Sequence, residues 1–192
     1  MTRESRAPAF FERLYAADPD PWGFATSAYE AEKYDATMAA LGGRRFARGF
    51  EIGCSIGVLT ARLSLQCGEL LAVDVAEAAL AQARARCAAR GHVRFENRRM
   101  PADWPAGARF DLIVLSEVLY FLSPADIVLI AEHTMRAALP GGEILLVNYT
   151  GPIDEPCSGD EAAERFIAAC GLKPRLQFAG EKYRIDLLHA AA

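Results

Sequence analysis

The chain has 192 residues, a net charge of −4, 52% hydrophobic and 24% charged residues. That is enough for one globular domain with a sizeable core, and the acidic balance argues against a phosphate-backbone partner. No apolar run approaches the ~18 residues of a membrane span, and Met1-Thr2-Arg3-Glu4-Ser5-Arg6 lacks the apolar stretch of a secretory signal, so a cytoplasmic location is expected.

In chain order, residues 8–17 read as a short amphipathic helix with Phe10, Phe11, Leu14 and Tyr15 on one side. The run Asp18-Pro19-Asp20-Pro21-Trp22-Gly23-Phe24 breaks it, because proline fixes φ and disfavours helix before it. Residues 29–41 form a second helix ended by Gly42-Gly43. Strands and helices then alternate: strand 49–52, helix 57–66, strand 70–73, alanine-rich helix 76–90, strand 93–96, and a continuous apolar strand at 110–115, as buried parallel strands are. Helix 124–138 closes at Pro140-Gly141-Gly142, strand 143–148 follows, and residues 151–159 form a loop. Helix 160–170 leads to a hairpin of 173–178 and 183–188 at the sheet edge. The expected fold is an α/β Rossmann-like open sheet of seven strands, mostly parallel with a C-terminal antiparallel hairpin and helices on both faces. Residues 1–45 are read as a helical cap or lid and 46–192 as the core of the same domain.

The run Phe50-Glu51-Ile52-Gly53-Cys54-Ser55-Ile56-Gly57 takes an apolar strand into a glycine turn, and Ala72-Val73-Asp74 ends the next strand in an acid. In open α/β sheets that acid accepts the ribose hydroxyls of a nucleotide-derived cofactor; the other reading is an aspartate capping the following helix. Gly53 allows the turn, and Gly57 lets the next helix pack close to the sheet. Residue 55 is serine where a dinucleotide fingerprint has glycine, which disfavours a nicotinamide cofactor. The turn instead resembles motif I of class I S-adenosylmethionine (SAM) methyltransferases. Phe110 to Tyr120 resembles the family's motif IV, and Leu139-Pro140-Gly141-Gly142-Glu143 its turn before the fifth strand.

A closer resemblance rests on Asp18-Pro19-Asp20-Pro21-Trp22, on Tyr29, Glu30, Lys33 and Tyr34, on the motif I run, on Leu115-Ser116-Glu117-Val118-Leu119-Tyr120, and on Cys157-Ser158-Gly159-Asp160. Together these are similar to the nodulation-type N-methyltransferases, which methylate the free amine of a partly deacetylated chito-oligosaccharide. The resemblance implies SAM as cofactor and S-adenosylhomocysteine (SAH) as product. It implies cofactor contacts from Glu51, Gly53, Cys54, Ser55, Gly57, Asp74, Val75, Arg99, Met100, Pro101, Leu115 and Ser116, with Tyr29 and Lys33 closing over them and Lys33 on the methionine carboxylate. Arg99 and Met100 stand where the family often has an acid for adenine. Met100 packs on the ring or in the core, and Asp103 could supply the acid.

Glu117 is the leading catalytic candidate, accepting a proton from the amine or selecting its neutral form; otherwise it caps residues 118–122. Tyr120 and Phe121 form a pocket wall or belong to the core. Trp22, Phe24 and Tyr29 form a lid or a plain hydrophobic cap. Asn148, Tyr149 and Asp154 touch substrate or merely connect elements. The acceptor is a small molecule or oligosaccharide, N- or O-methylated, and a non-catalytic SAM- or SAH-binding module remains the rival of another class. Five cysteines without C-x-x-C spacing suggest free thiols, and His92, His133 and His189 suggest neither a triad nor a metal site.

Overall fold

A computed structural model describes residues 4–191. Two helices come first, α1 (Pro8–Ala17) and α2 (Ala28–Ala40). Five strands follow: β1 (Phe46–Ile52), β2 (Cys67–Asp74), β3 (Val93–Asn97), β4 (Phe110–Ser116) and β5 (Ala138–Tyr149). Helix α3 (Val58–Leu63) joins β1 to β2, and α4 (Glu77–Arg86) joins β2 to β3. A 3-10 turn (Leu119–Phe121) and α5 (Pro124–Ala137) join β4 to β5. Helix α6 (Gly159–Cys170) precedes the strands β6 (Pro174–Ala179) and β7 (Tyr183–His189).

The seven strands lie in the order β3-β2-β1-β4-β5-β7-β6. β1 to β5 pair in parallel, whereas β7 runs antiparallel between β5 and β6. The strand order reverses between β1 and β4, so the crossovers after these strands leave in opposite directions and open a crevice at their carboxyl ends. Side chains alternate across the sheet. Ile113 and Leu115 face a core shared with Ile127 and Ile130 of α5 and Phe166 of α6. Leu112 and Val114 face Tyr34 of α2 and Leu59 and Leu63 of α3. Because β4 is covered on both faces, its residues 112–115 read as an unbroken apolar run.

Several elements extend differently from the sequence reading, among them β2, which begins at Cys67 rather than 70, and α4, which ends at Arg86 rather than 90. β1 begins at Phe46, since Phe46 pairs with Cys67 and the Asp111 carboxylate accepts from Ala47 N and Arg48 N at 2.7 and 2.8 Å. α3 is shorter than 57–66 because residues 64–66 turn tightly into β2. β5 begins at Ala138 rather than 143. Residues 139–142 form an irregularity between the Phe110–Ala138 and Leu112–Glu143 pairs, and Gly141 N and Gly142 O bond Ala190 across it.

Serines cap three helices. Ser27, Ser123 and Ser158 accept from the backbone N–H of Glu30, Asp126 and Glu161, and Ser158 with Glu161 completes a capping box. Gly57 has φ +78°, and a Cβ there would lie 2.9 Å from the Ala83 backbone. The close approach it permits is therefore to α4, not to the sheet as the spacing suggested. Gly57→Ala should cost about 2 kcal/mol, lowering the melting temperature by roughly 4–8 °C, readable by urea and thermal unfolding.

Candidate functional site

A cavity of about 760 Å3 opens over the carboxyl ends of β1, β2 and β4, within the size range of small-molecule sites. Its floor is the turn after β1. Gly53 N and Cys54 N both donate to Val73 O, at 2.9 and 3.0 Å, which draws the turn across β2. Gly53 has φ +79°, and a Cβ would come within 2.1 Å of Val118 Cγ2. Ser55 also adopts a left-handed conformation at φ 49°, a region non-glycine residues enter rarely outside functional turns.

Two carboxylates face the cavity beside this turn. Asp74 Oδ2 accepts from Ser55 N at 2.8 Å, and Oδ1 accepts from Ala76 N at 2.9 Å. The helix-capping and turn-holding roles thus coexist, and lone pairs remain on both oxygens. Burial pushes the Asp74 carboxyl up, opposed by these amides. Glu51 is 1% exposed and its Oε2 has no hydrogen-bond partner. Burial pushes its carboxyl up to about 8, as expected for an acid sealed from water without a counter-charge.

The third side follows β3. Arg98 N donates to Asp74 O at 3.0 Å, and Arg99, Met100 and Pro101 line the wall, with a cis bond between Met100 and Pro101. Asp103 does not line the cavity. Its carboxylate accepts from Arg99 N at 2.9 Å, so the expectation that it supplies an acid to adenine is corrected.

At the end of β4, Ser116 and Glu117 line the cavity, and Glu117 is left-handed at φ 58°. Lys33 Nζ donates to Glu117 Oε1 at 2.7 Å and to Glu30 Oε1 at 3.0 Å. Tyr120 Oη donates to Glu117 Oε2 at 2.6 Å, and Tyr149 N to the same oxygen at 3.1 Å. Burial drives the Lys33 ammonium down, but Glu117 and Glu30 outweigh it and the net direction is up. Burial, then Glu117, raises the Tyr120 phenol, which stays a donor. Lys33 thus lines the cavity with its ammonium paired to two carboxylates.

An aromatic roof covers the cavity. Phe11 meets Phe121 edge-on at 5.0 Å, Tyr15 meets Trp22 at 5.6 Å, and Trp22 stacks on Phe24 at 5.6 Å. Tyr15 Oη bonds Ser55 Oγ, Glu12 accepts from Glu77 N at 2.8 Å, and Gln82 donates to Pro19 O at 2.8 Å. These contacts seat α1 and the following loop on the glycine turn and α4. The sequence reading placed Trp22, Phe24 and Tyr29 near the site but missed Tyr15, Phe11 and Ile56 as wall residues. The apolar side of α1 was visible, whereas its destination was not.

Of the sequence-selected residues, the structure brings Glu51, Gly53, Cys54, Ser55, Asp74, Val75, Arg99, Met100, Pro101, Ser116, Glu117, Tyr120, Phe121, Tyr149, Trp22, Tyr29 and Lys33 onto one wall system. The others lie off it. Gly57 abuts α4, Leu115 is fully buried in the core, Asn148 is buried within β5 with both amide atoms unpartnered, and Asp154 does not line the cavity. Asn148 therefore cannot touch an acceptor in this arrangement.

The residues fit a cofactor that is cationic at one end and carries ribose hydroxyls at the other. Glu51 offers an unpartnered carboxylate oxygen and Asp74 open lone pairs, both acceptors. They do not fit a pyrophosphate, because Ser55 N already serves Asp74 and both acids would repel it.

Comparison with known proteins agrees with this geometry. The profile of a family described as Nodulation protein S (NodS) matches residues 7–148. The chain is 30% identical over 146 residues to a Nodulation protein S of Sinorhizobium fredii, covering 73% of this chain and 64% of that protein. It is 36% identical over 165 residues to that of Bradyrhizobium diazoefficiens, covering 83% and 72%. The chain thus spans about two thirds of the length of these curated relatives. Its fold superposes with a TM-score of 0.81 on the N-methyltransferase NodS of Bradyrhizobium japonicum WM9 in complex with SAH, at 22% identity over 96% of this chain and 98% of the other.

Glu51 generates a stability prediction. An unfolded carboxyl ionises near 4.5 and the folded one near 8. Between these values the unfolded chain holds fewer protons, so the group's contribution to stability falls as pH rises from 4.5 to 8 and is level above. Glu51→Gln should raise the melting temperature of the ligand-free chain by several degrees at pH 8 and leave it near unchanged at pH 4.5. The same variant should lose the stabilisation that SAH gives, both read by thermal unfolding.

Proposed function

Because the chain belongs to the Nodulation protein S (NodS) family, we propose that it is a SAM-dependent methyltransferase acting on the free amine of an amino sugar or chito-oligosaccharide. The observation that carries this reading is the buried carboxylate of Glu51, whose Oε2 has no hydrogen-bond partner, beside Asp74 at the strand-order reversal of the sheet.

SAM, when bound, supplies a methyl group activated on a sulfonium sulfur. In the proposed site Asp74 receives the ribose hydroxyls, and Glu51 offsets the positive charge of the methionine end. Val75, Met100 and Pro101 flank the base, and Gly53, Cys54 and Ser55 shape the turn beneath it. Glu117 and Tyr120 stand at the carboxyl end of β4, toward the acceptor. An amine is a nucleophile only through a free lone pair, so it must react uncharged; Glu117 accepts one N–H and leaves that lone pair pointing away. Trp22, Phe121 and Tyr149 give the acceptor apolar faces, which suit the CH face of a sugar. Residues 4–45 serve as a cap over the core formed by 46–191. Its roof excludes water, and orientation alone removes several of the ~7–11 kcal/mol available to positioning.

The experiment is a mass-spectrometric assay with SAM and two chito-oligosaccharides, one with a free terminal amine and one fully acetylated. Methylation of the free-amine member alone is expected. Glu117→Gln should lower its kcat/KM about 100-fold while leaving SAH affinity within a few-fold. SAH at 100 Kd should add about 2.7 kcal/mol of stability, and NAD none. Stabilisation by NAD alone would overturn the cofactor, and methylation of other acceptors alone would overturn the amino sugar.

A further inference from the structure

Nothing in the proposed reaction requires a lysine inside the protein, yet Lys33 is 1% exposed and held by two carboxylates. Burying such a cluster is costly, and replacing it by apolar residues of similar volume is often neutral or stabilising. The fold also places Glu117 in a left-handed conformation at φ 58°, with Glu117 N donating to Val147 O at 2.8 Å. A side chain held under backbone strain beside a cavity is pinned by its surroundings.

The oxygens of Glu117 are not equivalent. Oε2 accepts from both Tyr120 Oη and Tyr149 N, which fills its two lone pairs. Oε1 accepts from Lys33 alone among the described residues, leaving one lone pair. Glu117 lines the cavity with 11% of its side chain exposed, so that lone pair is the open position. The groups facing Glu117 are Lys33, Glu30, Tyr29 and Tyr34 of α2, Tyr120 of the 3-10 turn, and Tyr149 of β5. Lys33 is the only cation among them. An ionised Glu117 without it would hold an acceptor as ammonium, the form that lacks a lone pair.

We propose that Lys33 is a positioning residue of the acceptor site: it pins Glu117 and offsets its charge, so that Oε1 takes a hydrogen bond from the neutral amine instead of a salt bridge from the ammonium. The inference rests on the methyltransferase reading above. Lys33 rides on α2, so docking of that helix and assembly of the acceptor contact are one event.

The test is a cycle of Lys33→Met, Glu117→Gln and the double variant. Each is assayed from pH 6 to 10 with SAM and a chito-oligosaccharide bearing one free amine, beside SAH titration calorimetry. Lys33→Met should lower kcat/KM at neutral pH about tenfold or more. It should also move the rising limb of the pH profile up by about one unit, with SAH affinity within threefold. In the Glu117→Gln background, Lys33→Met should add less than about threefold, since coupled residues are non-additive. Full additivity, an unmoved limb, or SAH affinity falling in step with kcat/KM would overturn the proposal, the last by making Lys33 a cofactor ligand. If Lys33→Met fails to fold, Lys33→Arg keeps the charge and should keep the limb in place; a shifted limb there would refute the charge-offset role. Absence of SAH binding to the unaltered chain would overturn the cofactor reading itself.

Discussion

One buried ammonium between two carboxylates joins the N-terminal helices to the sheet. Lys33 and Glu30 come from α2, and Glu117 comes from the carboxyl end of β4. Elsewhere α2 is held by Asp35, which accepts from Arg62 of α3, and by Tyr29, whose Oη donates to Lys182 O at 3.1 Å. Without the Lys33 link, Glu117 would be a strained, partly buried carboxylate with only hydrogen-bond donors beside it. With the link, Tyr120 and the β5 backbone at Tyr149 converge on the same carboxylate. Three separate stretches of chain, α2, residues 117–120 and β5, thus meet at one side chain. Removing one partner from such a cluster is strongly destabilising because it leaves a charge unpaired in low dielectric.

Glu51 has the opposite character. It lies on the central strand, sealed from water, with an oxygen that no group satisfies. A fold optimised for stability alone would place an apolar residue there. An unpartnered buried acid is tolerated where a ligand supplies the missing charge, and this is how a binding site stores affinity at the expense of the ligand-free state. The two clusters divide the cavity into a half with open acceptors at Glu51 and Asp74 and a half at Glu117 where the charges already meet partners.

The roof gives the site its enclosure by apolar contact. Trp22, Phe24, Phe11 and Phe121 pack ring against ring, while Arg6 N donates to Phe121 O and the Arg6 side chain reaches Glu155 at 2.6 Å. The segment before α1, the 3-10 turn and the loop after β5 are thereby tied at one rim. Among the described residues no helix is long and apolar enough to cross a membrane.

The sequence by itself determined the order and type of the elements, because strand periodicity, glycine turns and serine caps act over a few residues. It also brought Glu51, Gly53 and Asp74 to one wall of the cavity, since they sit at fixed places in a strand-turn-helix-strand unit whose geometry is local. The sheet-edge hairpin was legible for the same reason, although the start of β5 was not: the bulge at 139–142 is held by Ala190, far along the chain. Only the tertiary structure decided the partners of Lys33, the withdrawal of Leu115 and Asn148 from the cavity wall, and the place of Tyr15 over Ser55. Each depends on which face of one element meets another across many residues of sequence. A periodic pattern states that a face is buried; the packing of the sheet, its crossovers and the cap states against what.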